Sequence, residues 1–109
     1  MDFEDKIIGL LGFASKSRNF VFGKEGLRSY IRSGQDPKVV IVAKDAGETI
    51  KKELKNKCNS FKVPIIIFKN KGKAELSKAI GKTDVSSLGI EDKNIVKGIL
   101  ELVKAGGDV

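Results

Sequence analysis

Two uninterrupted apolar runs constrain the fold most. "KVVIVA" begins at Lys38 and "VPIIIF" at Val63; both are rich in β-branched residues, and neither alternates with polar ones. A strand with one wet face alternates, whereas a strand buried on both faces reads as a continuous apolar run. Both runs are therefore expected to be central strands with helices covering each side of the sheet. Pro64 stands at the entry of the second, where a missing N–H is tolerated. Between them Ile50, Leu54, Cys58 and Phe61 fall at i, i+4, i+8 and i+11, which predicts a helix from Asp45 with a core stripe. On that stripe Cys58 reads as a small, inert, buried apolar residue.

The flanking segments continue the alternation. Ile7, Leu10, Leu11 and Ala14 predict a helix from Phe3 to Ser17, and "NFVF" a short strand. Lys24 to Ser33 reads as a helix with Leu27, Tyr30 and Ile31 on one side and Lys24, Arg28 and Arg32 on the other. Gly34 stands where a left-handed cap would stop it. A short helix follows from Ala74 to Ile80, closed by Gly81. "VSSLGIE" is a weaker strand in which Gly89 marks a bulge or a close approach. Glu91 to Lys104 is a last helix with Ile95, Ile99, Leu102 and Val103 inward. The order α-β-α-β-α-β-α-β-α predicts an α/β three-layer α/β/α sandwich around a small four-stranded mixed sheet. At 109 residues, the expectation is a single domain over 1–104 and a tail, 105–109, that frays.

Charge supplies the first functional constraint. There are 21 Lys plus Arg against 14 Asp plus Glu, a formal net charge of +7. Lys16, Arg18, Lys24, Arg28 and Arg32 against Glu25 give residues 16–32 a net of +4. Six lysines against Glu75 give residues 62–82 a net of +5, so the remainder is slightly acidic. Two cationic segments on such a background predict a basic face and a polyanionic partner such as nucleic acid.

Several classes drop out. With no His and one Cys, the chain builds neither a Cys/His zinc site nor a His-based triad. No metal and no cofactor are expected. A lone Cys fits a reducing compartment, no run reaches the roughly 18 apolar residues of a membrane span, and "MDFEDK" is acidic where a signal peptide is basic. A soluble cytoplasmic protein is the expectation. "LSKAIGKT" ends like a phosphate-binding loop, but Leu76 stands where that motif needs Gly, and the segment closes a helix instead of opening one. Gly23 is different: it precedes a helix start whose free N–H groups and dipole favour an anion, with Lys24 and Arg28 on the same face.

From "IIGLLGFASKSRNFVFG" to the last helix, the chain resembles the ribosomal-protein L-seven-Ae/L-thirty-e family of kink-turn RNA binders, and most closely its bacterial YlxQ-type ribosome-associated branch. The resemblance rests on the eleven-residue spacing from Gly23 to Gly34, the "VAKDA" junction and the step from Cys58 into "VP". It implies the same sandwich and a non-catalytic protein bound to ribosomal or other structured RNA. Gly23, Lys24 and Arg28 would form a first contact set, with Glu25 beside them at the RNA face, Lys44 a second, and Lys78 with Lys82 a third, assisted by Lys16 and Arg18. Glu25, Gly26 and Ser29 occupy the positions where kink-turn readers carry Asn, Glu and Lys, so phosphate contact should outlast base reading. The alternative class is a protein-interaction adaptor in translation or ribosome assembly.

Overall fold

The computed structural model describes residues 3–105. Its elements are α1 (Phe3–Ser17), β1 (Phe20–Phe22), α2 (Lys24–Arg32), β2 (Val40–Val42), α3 (Glu48–Phe61), β3 (Ile65–Ile67), α4 (Lys73–Ala79), β4 (Ser87–Ile90) and α5 (Lys93–Lys104), the alternation predicted. The strands form one mixed sheet in the order β1-β4-β2-β3. β2 and β3 run parallel, and β4 is antiparallel to both of its neighbours. Along the β2 run Val39, Ile41 and Ala43 point into a core shared with α1, α4 and α5, while Val40 and Val42 point into one shared with α2 and α3. The sheet is thus sandwiched, and its apolar run serves two cores.

β3 departs from the expectation of a second fully buried strand. It is an edge strand in which Ile66 is buried but Ile65 and Ile67 are only half-buried beneath α3. A β-branched run reports apolar surroundings, and it cannot say whether a neighbour strand lies on both sides. The segment read as the weaker strand, β4, is instead interior and buried throughout. Its glycine makes a close approach: a Cβ at Gly89 would meet the Tyr30 ring at 2.6 Å. Tyr30 Oη donates to Ile90 O at 2.6 Å and accepts from Val39 N at 3.0 Å, tying α2 to the two central strands.

Helix boundaries also differ, and α4 runs from Lys73 to Ala79 where Ala74 to Ile80 was expected. Asp45 does not start α3, which begins at Glu48; its Oδ1 accepts Lys73 N at 2.7 Å and so caps α4 across the sheet end. Of the expected α3 stripe, Cys58 is buried and Leu54 half-buried, whereas Ile50 and Phe61 are 40% and 50% exposed. The three-residue strands beneath α3 are shorter than the helix, so they cannot cover its whole length. Gly34 is not a left-handed cap, since α2 ends in an extended Ser33. Lys38 Nζ takes up the terminal carbonyls instead, at 2.8 Å from Ile31 O and 2.6 Å from Ser33 O. α5 starts at Lys93, with Asp92 Oδ1 accepting from Asn94 N and Ile95 N. Val96 joins Ile99 in its buried face, and Ile95, Leu102 and Val103 are half-buried. Ala105 closes α5 through its N–H on Glu101 O; the rest of the tail expected to fray, 106–109, lies outside the described residues.

One buried charge organises the β3–α4 loop. Glu4 of α1 is 4% exposed, and its carboxylate accepts Lys69 N at 2.7 Å, Asn70 N at 3.0 Å and Lys71 N at 2.9 Å. Three backbone donors replace the water that the carboxylate gives up. Lys71 Nζ also pairs with Asp5 at 2.8 Å, fixing the same loop to α1.

Candidate nucleic-acid interface

The register brings four chain segments to one end of the sheet. Phe22 pairs with Leu88, Val42 with Ser87, and Val42 with Ile67, so β1, β2 and β3 end where β4 begins. At that end Gly23 turns the chain into α2 with φ +85°, a conformation that suits glycine, and no side chain caps the helix start. α2 then buries Leu27, Tyr30 and Ile31 and leaves Lys24 and Arg28 exposed one turn apart.

Between α2, the first half of α3 and the β4 entry lies a groove of about 400 Å³. Leu27, Ile31, Leu54 and Val85 supply apolar lining; Phe22 and Ile50, both exposed by 40% or more, stand in it as well. Its charges are mixed: Lys24, Arg28 and Lys57 against Glu53 and Asp84. Lys78 and Lys82 line an adjoining depression with Thr83 and Asp84. Lys82 Nζ also lies 5.9 Å from the centre of the Phe22 ring. Arg18, in the left-handed region at φ +57°, lines a further depression with Phe20, Phe22 and Lys82.

Of the residues singled out from sequence, Gly23, Lys24, Arg28, Lys78, Lys82 and Arg18 thus surround the sheet end. Glu25 is exposed on α2 and does not line the groove. Lys44 lies at the same end but apart from the groove, its N–H on Lys71 O at 2.9 Å and its carbonyl accepting Lys51 Nζ at 2.7 Å. Lys16 is directed elsewhere, with Nζ 5.8 Å from the centre of the Phe13 ring on α1.

Residues 5–105 match the ribosomal protein L7Ae/L30e/S12e/Gadd45 family. The chain belongs to that family. It is 33% identical over 99 residues to the RNA-binding protein YlxQ of Enterococcus faecium, covering 91% of this chain and 92% of that one. It is 30% identical over 94 residues to the RNA-binding protein YlxQ of Bacillus subtilis (strain 168), covering 86% and 91%. The solved structure of a protein with unknown function from Bacillus halodurans C superposes with a TM-score of 0.80 at 30% identity, covering 91% of this chain and 97% of that one. The Giardia lamblia 15.5kD RNA binding protein superposes at 0.76 and 21% identity, covering 96% and 90%, a likeness that bears on the fold alone.

At the start of α2 the turn is made by Gly23. At Gly26 a Cβ would meet only Val21 Cβ, at 3.7 Å, so a side chain is absent there without a steric reason. Sequence reasoning missed Phe22, Ile50, Glu53 and Asp84. The signal for Phe22 was its position at the last residue of a strand, directly before the glycine turn. Ile50 belongs to the apolar stripe expected to face the core and Glu53 lies off it, and no local pattern shows which part of α3 the sheet leaves uncovered.

Proposed function

We propose that this is a non-catalytic RNA-binding protein that holds ribosomal or other structured RNA mainly by its phosphates, with kink-turn base reading weakened. The observation that carries this reading is the convergence of Gly23, Lys24 and Arg28 with Phe22 at the sheet end. An uncapped helix start welcomes an anion, two cations one turn apart add to it, and an exposed ring offers a base a stacking surface. Membership of the family and the RNA-binding names of its YlxQ relatives support the same conclusion. Glu25 and Gly26 supply no counterpart to the Asn and Glu of kink-turn readers. Phosphate contacts position a protein on RNA without specifying sequence.

The test is the double change Lys24→Ala with Arg28→Ala, measured by fluorescence anisotropy on a kink-turn RNA and on an unrelated hairpin over a salt series. Both affinities should fall by similar factors, and the slope of log affinity against log salt should flatten by about one to two units. Unchanged binding would remove the RNA face from α2. A loss confined to the kink-turn would show that this protein reads that motif through other residues. Absence of salt-dependent RNA binding by the unaltered protein would favour the adaptor reading, with an apolar side chain of a protein partner seated in the groove.

A further inference from the structure

On the far side of Phe22 from the groove lies a second depression of about 490 Å³, bounded by Ser15, Arg18, Phe20, Phe22, Gly81 and Lys82. We propose that it is a second nucleotide subsite, in which an unpaired base of the same RNA stacks on Phe22 while Arg18 and Lys82 hold the flanking phosphates. The inference rests on the RNA-binding reading above and extends it to a strand that crosses the β1 edge.

The chemistry of the lining favours this occupant. Phe20 and Phe22 alternate on one face of β1 with ring centres 6.0 Å apart and planes inclined by 26°. Phe20 is half-buried against the larger core, so it backs the outer ring and limits its motion. Phe22, the last residue of β1, keeps 43% of its surface exposed. A held, exposed ring is a stacking platform that accepts any base. Two cations border it and no acidic residue does, in contrast to the groove, where Glu53 and Asp84 offset the cations. A nucleotide presents that combination, a flat face with anionic oxygens beside it. The volume is within the range of small-ligand sites. Because Phe22 belongs to both cavities, a strand seated in the groove can pass directly into the second one.

Arg18 permits an unusual control. It holds a left-handed conformation that costs a side-chain-bearing residue more than glycine, so Arg18→Gly removes the guanidinium while relieving the backbone. The melting temperature of that variant should hold, and the salt slope of its RNA binding should flatten by about 0.7 to 0.9, the share of a single phosphate that no longer has a cation beside it.

The decisive experiment uses one hairpin RNA with unpaired nucleotides at both ends, made with those bases intact and with them removed as abasic residues. For the unaltered protein, removing the bases should weaken binding by roughly 5- to 150-fold, the range for one stacked base. Phe22→Leu should lose the same factor on the intact RNA and nothing on the abasic one, while Phe22→Tyr should bind both as the unaltered protein does. Phe22→Leu weakening both RNAs alike, or neither, overturns the subsite while RNA binding itself stands. No salt-dependent binding of either RNA by the unaltered protein overturns the RNA reading, and the subsite with it.

Discussion

Replacing Gly89 with Ala puts a methyl group where the Tyr30 ring already stands. The new Cβ would lie 2.6 Å from Tyr30 Cδ2 and 2.7 Å from Cε2. Ordinary carbon contacts are about 3.5–4.0 Å, so the ring must withdraw by about 1 Å. Its hydroxyl resists this, being held at 2.6 Å from Ile90 O and 3.0 Å from Val39 N. A shift of that size takes both bonds out of range. Ile90 O keeps Gln35 Nε2 at 3.0 Å, but Val39 N is left without a partner in a fully buried residue. An orphaned donor costs about 1–3 kcal/mol and overpacking about 1–3 kcal/mol, offset by the 0.5–1 kcal/mol or so that Ala gains over Gly in a strand. The expected net loss is about 3 kcal/mol, read by equilibrium urea unfolding, with the thermal midpoint lower by roughly 12–24 °C. Tyr30→Phe, which keeps the ring and drops the hydroxyl, should lose only the orphaned-donor share of about 1–3 kcal/mol. A Gly89→Ala loss below about 1 kcal/mol would mean that the ring repacks freely, and the close approach would no longer explain the glycine.

Glu4→Gln should cost about 2–3 kcal/mol in urea unfolding, since the new amide group faces the Lys69, Asn70 and Lys71 N–H donors that the carboxylate accepts; a change under about 0.5 kcal/mol would show that the loop holds without it. Burial pushes the Cys58 thiol up to about 11, against a weaker pull downward from Lys38, and burial likewise raises the Tyr30 phenol. Both groups are favoured neutral in the folded state, so the stability they contribute is complete below pH 9 and lost as pH rises through the folded-state values. Unfolding free energy should fall between about pH 9 and 11, by up to about 2.7 kcal/mol for Cys58 alone, and Cys58→Ala should flatten that fall. The same substitution should cost about 1 kcal/mol or more at neutral pH through its cavity, and a thiol reagent should label native Cys58 slowly.

The features legible in the sequence are those set by neighbours along the chain. α1 and α2 follow from side-chain periodicity, and the alternation of strands and helices gives the sandwich. What the sequence hid depends on contacts between distant residues. Asp45 looks like a helix start for its own segment, yet it caps Lys73 of α4. Gly34 looks like a helix stop, but Lys38 satisfies those carbonyls from outside the helix. β3 has the stronger strand pattern and lies at the edge, whereas β4, with Ser87 and Gly89 in it, lies inside between β1 and β2, and Tyr30 packs against its glycine. For the candidate site, the cations of α2 were visible as a charged stripe. The ring of Phe22 and the two carboxylates of the groove were not, since exposure at the sheet end depends on where the covering helices stop.

The same helix carries the anchor and the cations, and this couples stability to the candidate site. At nine residues α2 is too short to persist by itself in water. The one-turn spacing of Lys24 and Arg28 therefore exists only while Leu27, Tyr30 and Ile31 remain buried on its other side. Of these, Tyr30 is tied most tightly, bridging Val39 of the β2 run and Ile90 of β4 through one hydroxyl. Loosening that bridge splays the two cations as the helix frays. On the RNA-binding reading proposed above, Gly89, buried inside the sheet, would then influence how well the helix start receives a phosphate. A Gly89→Ala protein that is still folded should bind RNA with a salt slope closer to that of the Lys24→Ala and Arg28→Ala double variant than to that of the unaltered chain.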